Sequence, residues 1–137
     1  MKKILFAFGG VLFLSLSAFA ATKAPENARV YFISPADGDT VSSPVKVQFG
    51  LQGMGVAPAG TEKENTGHHH LLIDTKLDDP MSPIPNDATH KHFGGGQTET
   101  MVELPPGKHT LQLVLGDKSH IPHDKPVMSE VITITVK

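Results

Sequence analysis

Short apolar runs with a period of two residues are the feature that most restricts the fold of this chain. In the clearest run, Val45, Val47 and Phe49 alternate with Lys46 and Gln48. Such alternation places every second side chain on the same face of a β-strand, so that one face is buried and the other meets water. No segment carries a long apolar repeat at helical spacing. The sequence therefore predicts an all-β fold.

The remaining strands follow from the same pattern and from the glycine- and proline-rich turns between the runs. The predicted strands cover residues 28–33, 45–51, 69–75, 98–104, 109–115 and 127–136, with one short edge strand between 76 and 96. About seven short strands separated by turn residues are typical of an immunoglobulin-like antiparallel β-sandwich. We take this sandwich as the expected architecture.

The first 20 residues have the pattern of a cleaved signal peptide. Lys2 and Lys3 precede an apolar run from residue 4 to about 16, and Ala18-Phe19-Ala20 has the small residues of a cleavage site. The run is too short to remain as a membrane span. We therefore expect a mature chain of residues 21–137 that forms a single domain without a membrane anchor, in the periplasm or secreted.

Composition excludes several classes of function. Removal of Lys2 and Lys3 would leave 10 basic and 14 acidic residues, a formal charge of about −4, and the chain has a single arginine, Arg29. No basic stripe with interleaved aromatic residues exists, so nucleic acid is not an expected partner. The chain has no cysteine. Disulfides, a thiolate metal ligand and a blue-copper site are therefore excluded.

Seven of the eight histidines form three short clusters, at residues 68–70, 90–92 and 120–123. Imidazole is the commonest metal ligand in proteins. In an immunoglobulin-type topology, the three loops that carry these clusters lie at the same end of the sandwich. The sequence therefore predicts a metal site at that end. The candidate ligands are His68, His70, His90, His92, His120 and His123.

Strand alternation separates the roles of neighbouring histidines. It places His69 on the core face, and it points His68 and His70 together from the opposite face. His109 follows a turn at the other end of the sandwich, in a position like that of a tyrosine corner, so we interpret it as a structural residue that bonds nearby backbone. The run at residues 94–96, three glycines beside the second cluster, would allow the backbone to approach the histidines closely or a strand to enter tightly.

Copper or zinc is the expected ion, because imidazole-rich sites suit both and copper forms the stronger complexes. Met54 could add a thioether to Cu(I), but a loop methionine folded over the core is the favoured interpretation. The preferred function is a metal-binding protein, with a periplasmic protein as a further partner. The alternatives are an immunoglobulin-like binding module for a protein or glycan, with a structural or pH-responsive histidine network, and a copper redox enzyme. No motif of a hydrolase or metalloprotease is present, so an enzyme is the least favoured class.

Several stretches resemble bacterial sequences. Ser34-Pro35-Ala36-Asp37-Gly38 and the segment 104–111 resemble bacterial immunoglobulin-like domains. The chain from about residue 30 to 136 also resembles a bacterial family known as domain of unknown function 4399. That resemblance implies an exported sandwich domain and no established activity. The segments that carry it are 53–56, Gly67-His68-His69-His70-Leu71-Leu72-Ile73-Asp74, 92–99, and Gly116-Asp117 with His120 and His123.

Overall fold

A computed structural model describes residues 20–137 of the chain. Residues 1–19, which make up nearly all of the predicted signal peptide, lie outside the described residues. Residues 20–137 contain strands and turns but no helix, which confirms the all-β fold, and no helix capable of crossing a membrane is found among them. The nine strands are β1 (Arg29–Ser34), β2 (Thr40–Val41), β3 (Val45–Gln52), β4 (Gly55–Val56), β5 (Thr66–Ile73), β6 (His90–His92), β7 (Glu99–Val102), β8 (Gly107–Gly116) and β9 (Ile132–Val136).

The strands form two sheets. The smaller sheet has the order β1-β3-β7, and the larger has the order β2-β9-β8-β5-β4, with β6 also paired to β5. Most pairs are antiparallel, as predicted, but β2–β9 and β4–β5 are parallel, so the larger sheet is mixed. That sheet is curled like half of a barrel, and the specific immunoglobulin-like arrangement is not confirmed. The two additional strands, β2 and β4, are only two residues long.

The main core lies between the two sheets. Val47 and Phe49 of the small sheet meet Leu71, Leu113 and Ile134 of the large sheet in one apolar cluster, and each of these side chains is at most 2% exposed. The residues between them along each strand point away from this cluster, as the period-two pattern requires. Burial of these side chains is the main driving force that holds the sheets together.

Strand β5 is buried on both faces, and this positions the histidines. Leu71 faces the main core, whereas Leu72 packs on the outer face of the sheet with Ile84 and Val114. The loop that contains Ile84 covers this outer face. The strand begins at Thr66 and ends at Ile73, about two to three residues earlier than predicted at each end. It ends there because the next residue, Asp74, has a left-handed backbone, with a φ of 54°.

The last strand is shorter than predicted. It was expected over residues 127–136 but begins at Ile132. Before it, the amide of Leu113 donates to the hydroxyl oxygen of Ser129 at 2.9 Å, instead of to a backbone carbonyl. A side chain therefore takes the place of a strand partner, and the regular ladder cannot extend through this segment.

Candidate metal centre

Four of the six candidate ligands converge on the outer face of the large sheet. His68, His70, His92 and His120 each offer a ring nitrogen, and these nitrogens lie within 4.8 Å of one another. The Nε2 atom of His68 lies 3.0 Å from Nε2 of His70 and 3.1 Å from Nδ1 of His120. Four imidazoles of this kind could hold a metal ion.

Two strands supply three of these rings. His68 and His70 are two residues apart on β5 and therefore point in the same direction. On the neighbouring strand β6, His92 is directly opposite His70, which brings the two rings onto one face at a centroid distance of 5.1 Å. His69 points the other way and packs against Phe49, with ring centroids 5.0 Å apart. The predicted alternation of these histidines is confirmed.

His120 reaches the group from the loop between β8 and β9. Its backbone is left-handed, with a φ of 66°. Its amide donates to the carbonyl oxygen of Asp117 at 2.9 Å, and its own carbonyl accepts from the amide of Ile84 at 2.8 Å. Backbone hydrogen bonds on both sides therefore fix the direction in which this loop presents the ring.

Glycines allow two of the rings to lie against backbone. A Cβ atom at Gly94 would lie 2.3 Å from Cε1 of His92, and one at Gly116 would lie 2.7 Å from Nε2 of His70. Both distances are far below a van der Waals contact, so a side chain at either position would displace the ring. The interpretation of the glycine run as a place of close backbone approach is confirmed for Gly94.

Burial lowers the pKa values of three of the clustered imidazoles. Desolvation, reinforced by the neighbouring imidazoles, lowers the pKa of His68 to about 4 and that of His70 to about 3. Desolvation and the neighbouring His120 also lower the pKa of His92. A neutral imidazole has one nitrogen with a free lone pair, which is the form that binds a metal ion.

The nitrogens of the group are not all satisfied by one another. Nε2 of His68 has either one hydrogen or one lone pair, yet it faces two other nitrogens. Within residues 20–137, Nε2 of His92 is buried without a hydrogen-bond partner. Buried polar atoms normally have a partner. A cation between the rings would provide one for the converging lone pairs.

Access to the group is one-sided. His68 and His70 are at most 1% exposed, whereas His92 and His120 are partly exposed. An ion would therefore approach past His92 and His120 and meet the two buried rings last.

His90 lies outside the group of four, although it is on the same strand as His92. It is opposite Leu72, two residue pairs away from the His70–His92 pair. Its Nδ1 donates to Oδ1 of Asp87 at 2.8 Å, and this hydrogen bond lowers the pKa of the Asp87 carboxyl to about 2. In this position His90 closes the turn that leads into β6.

His123 also lies outside the group. It is 1% exposed, and in the part of the chain that the structure describes neither ring nitrogen has a hydrogen-bond partner. The roles of His90 and His123 as ligands stay predictions.

The two residues interpreted as structural are confirmed in that role. Nδ1 of His109 donates to Oδ2 of Asp74 at 2.7 Å, and its Nε2 donates to the carbonyl oxygen of Pro105 at 2.8 Å. Met54 packs against the main core as a partly buried side chain. One residue of the site was missed. Asp117 is 6% exposed and accepts hydrogen bonds in the loop that carries His120. In the sequence it stood out only as part of a segment that carries the family resemblance, with no role of its own.

Comparison with known proteins places the chain in a family. The family described as "Domain of unknown function (DUF4399)" matches residues 47–137, which is more than half of the chain, and the chain belongs to this family. The matched region contains all eight histidines. No curated protein and no solved structure shows a significant match.

Proposed function

We propose that this chain is an exported metal-binding protein that holds one copper or zinc ion with His68, His70, His92 and His120. The observation that supports this proposal is the convergence of four ring nitrogens within 4.8 Å. Three of these rings have lowered pKa values and therefore offer lone pairs at neutral pH. The ligands come from two paired strands and one fixed loop, so the site is largely formed before an ion binds.

Copper is the preferred ion within this proposal. A shell of imidazoles without thiolate suits copper and zinc, and copper stands above zinc in the affinity order of divalent ions. Zinc fits equally well in ligand number, since four ligands in a tetrahedron are its usual structural shell. Storage, delivery or resistance are the roles that such a protein would serve. In delivery, a periplasmic protein would exchange the ion through the partly exposed side of the site.

The compartment is part of the same proposal. It is supported by the charged, apolar and small-residue pattern of residues 1–20. Expression of the full chain in a bacterial host, followed by fractionation and intact-mass measurement, tests it. A periplasmic product that begins at Ala21 is expected, and a cytoplasmic product of full mass would contradict export.

Calorimetric titration of chelator-stripped protein tests the function itself. We expect binding of one Cu(I), Cu(II) or Zn(II) ion per chain with an affinity tighter than micromolar, and a competition experiment between the ions would rank them. Binding weaker than micromolar for all three ions would contradict the proposal and favour a binding module for a protein or glycan.

A matched pair of variants on strand β6 tests the ligand set. His92→Gln removes a proposed ligand, and His90→Gln removes a histidine two residues away that lies outside the group. We expect His92→Gln to weaken binding by about tenfold or more and His90→Gln to change it by less than about twofold, since even residues behind the ligands affect affinity by about 10–100-fold. The reverse result would exclude this set of four.

A further inference from the structure

Asp117 is a buried carboxylate directly after strand β8. Burial by itself would raise the pKa of its carboxyl, but hydrogen bonds from Thr22, Ser119 and Ile121 keep the pKa below the ordinary value of aspartic acid. Oδ1 accepts from the amides of Ser119 and Ile121, at 2.8 and 3.0 Å. The carboxylate is therefore charged in the folded protein at neutral pH.

These hydrogen bonds shape the loop that carries His120. The two amides that donate to Oδ1 belong to the residues on either side of His120, and the amide of His120 donates to the backbone carbonyl of Asp117. One residue thus accepts from three consecutive amides. Because His120 has a left-handed backbone, which is unfavourable for most side chains, the loop needs such support to stay in this conformation.

A second segment holds the carboxylate from the other side. The hydroxyl of Thr22 donates to Oδ2 of Asp117 at 2.7 Å. The carbonyl oxygen of Thr22 accepts from the amide of Asp124 at 2.9 Å. Thr22 is therefore hydrogen-bonded to the 117–124 loop at two points.

We propose that Asp117 is the positioning residue of the metal centre: it holds the loop that presents His120. This inference rests on the proposed metal-binding function. Two variants test it, because asparagine keeps the shape of aspartate and an acceptor oxygen, whereas alanine loses both.

The test compares Asp117→Asn and Asp117→Ala with the unaltered protein, by competition titration with Cu(I) and with Zn(II). We expect Asp117→Ala to weaken the binding of both ions by about 10–100-fold, the range for residues that orient metal ligands. Asp117→Asn should bind more tightly than Asp117→Ala.

A spectroscopic measurement distinguishes this role from a general loss of stability. Electron paramagnetic resonance of the Cu(II) form should show fewer coordinated nitrogens in Asp117→Ala than in the unaltered protein, and the full number in Asp117→Asn. Asp124→Ala is the matched control, since Asp124 is an exposed residue of the same loop and accepts from the amides of Ala24 and Lys125. It should leave the nitrogen count and the affinity unchanged within about twofold, since exposed contacts contribute little.

Thr22→Val keeps the inference testable if Asp117→Ala does not fold. It removes only the hydroxyl that donates to Oδ2, and it should weaken binding less than Asp117→Ala but measurably more than Asp124→Ala. If the unaltered protein binds metal and neither the Asp117 variants nor Thr22→Val change affinity or nitrogen count, Asp117 has no such role and the metal site stands. If the unaltered protein binds no metal, the proposed function itself fails.

Discussion

His109 and the clustered histidines use the same side chain in opposite ways. Both ring nitrogens of His109 donate to oxygen acceptors, the Asp74 carboxylate and the Pro105 carbonyl, and these hydrogen bonds raise its pKa. In the cluster, the nitrogens of His68 and His70 face other imidazoles, and burial lowers their pKa values. The hydrogen bonds of His109 favour its protonated form, which has no free lone pair, whereas the buried rings of His68 and His70 are neutral and each has one.

The groups beside the ring nitrogens of a histidine decide which protonation state is stable. An oxygen acceptor beside each nitrogen stabilises the protonated ring, and another ring nitrogen in the same place stabilises the neutral one. The number of histidines and their burial do not reveal which protonation state each one favours. His109 is nearly as buried as His90, although it is more exposed than His68. Four experiments test this difference between His109 and the clustered histidines.

The largest effect is expected from removing both buried ligands on strand β5. The double variant His68→Gln, His70→Gln should lose at least about 100-fold in metal affinity, because two rings are removed and even outer-shell changes cost about 10–100-fold. His109→Gln is the control and should bind within about twofold of the unaltered protein. Titration of all three proteins with Zn(II) and Cu(I) measures this. Tight binding by the double variant together with its loss in His109→Gln would place the site at the other end of the molecule.

A smaller effect, on folding stability, is expected at His109. His109→Gln should lower the free energy of unfolding by about 1–3 kcal/mol, because Asp74 and the Pro105 carbonyl lose a donor. A raised pKa in the folded state means that this contribution is fully present below the unfolded pKa of about 6.5 and is lost as pH rises through the folded value. Urea unfolding of both proteins at pH 6 and at pH 9 measures the difference. An equal or larger difference at pH 9 would show that His109 is not held as a cation.

The third effect concerns a single ring. Gly94→Ala should weaken metal binding by about tenfold with little change in stability, because the new methyl group would displace the partly exposed ring of His92 and leave the ion without one outer-side ligand. Gly95→Ala is the matched control, since the three atoms nearest to its methyl group would all belong to the flexible Gln97 side chain. Titration and thermal unfolding of both variants measure this. Equal affinities in the two variants would argue that His92 is not a ligand.

The smallest effect is the number of protons released when the ion binds. Four ordinary imidazoles would be mostly protonated at pH 5.5 and would release nearly four protons. With the pKa values of His68 and His70 lowered to about 4 and about 3, the protein should release at most about two. Calorimetry at pH 5.5 in buffers of different ionisation enthalpy gives this number. A release of three or four protons would show that the two buried rings are charged before the ion binds.

Local patterns in the sequence were enough to predict the all-β fold class and two of the four clustered histidines, His68 and His70. Alternation along β5 is a property of any strand, so the outward pair His68 and His70 and the inward ring of His69 could be predicted without knowing the partners of the strand. The structural role of His109 could be predicted in the same way, from its distance to the turn before it. These inferences need only the geometry of a few neighbouring residues.

The other two members of the histidine group, His92 and His120, were decided by the tertiary structure. His90 and His92 lie on the same face of β6, and only the register with β5, fixed in part by the hydrogen bonds from Ile73 to Thr89 and from Phe93 to His69, sets His92 opposite His70. A strand pattern looks the same after a shift of two residues, so the sequence could not distinguish them. His120, rather than His123, joins the group because its backbone is left-handed and because the buried Asp117 carboxylate holds the loop. These features depend on contacts with residues far away in the chain. Loops lack the periodicity that makes strands predictable, and their conformation follows from the groups that accept their hydrogen bonds.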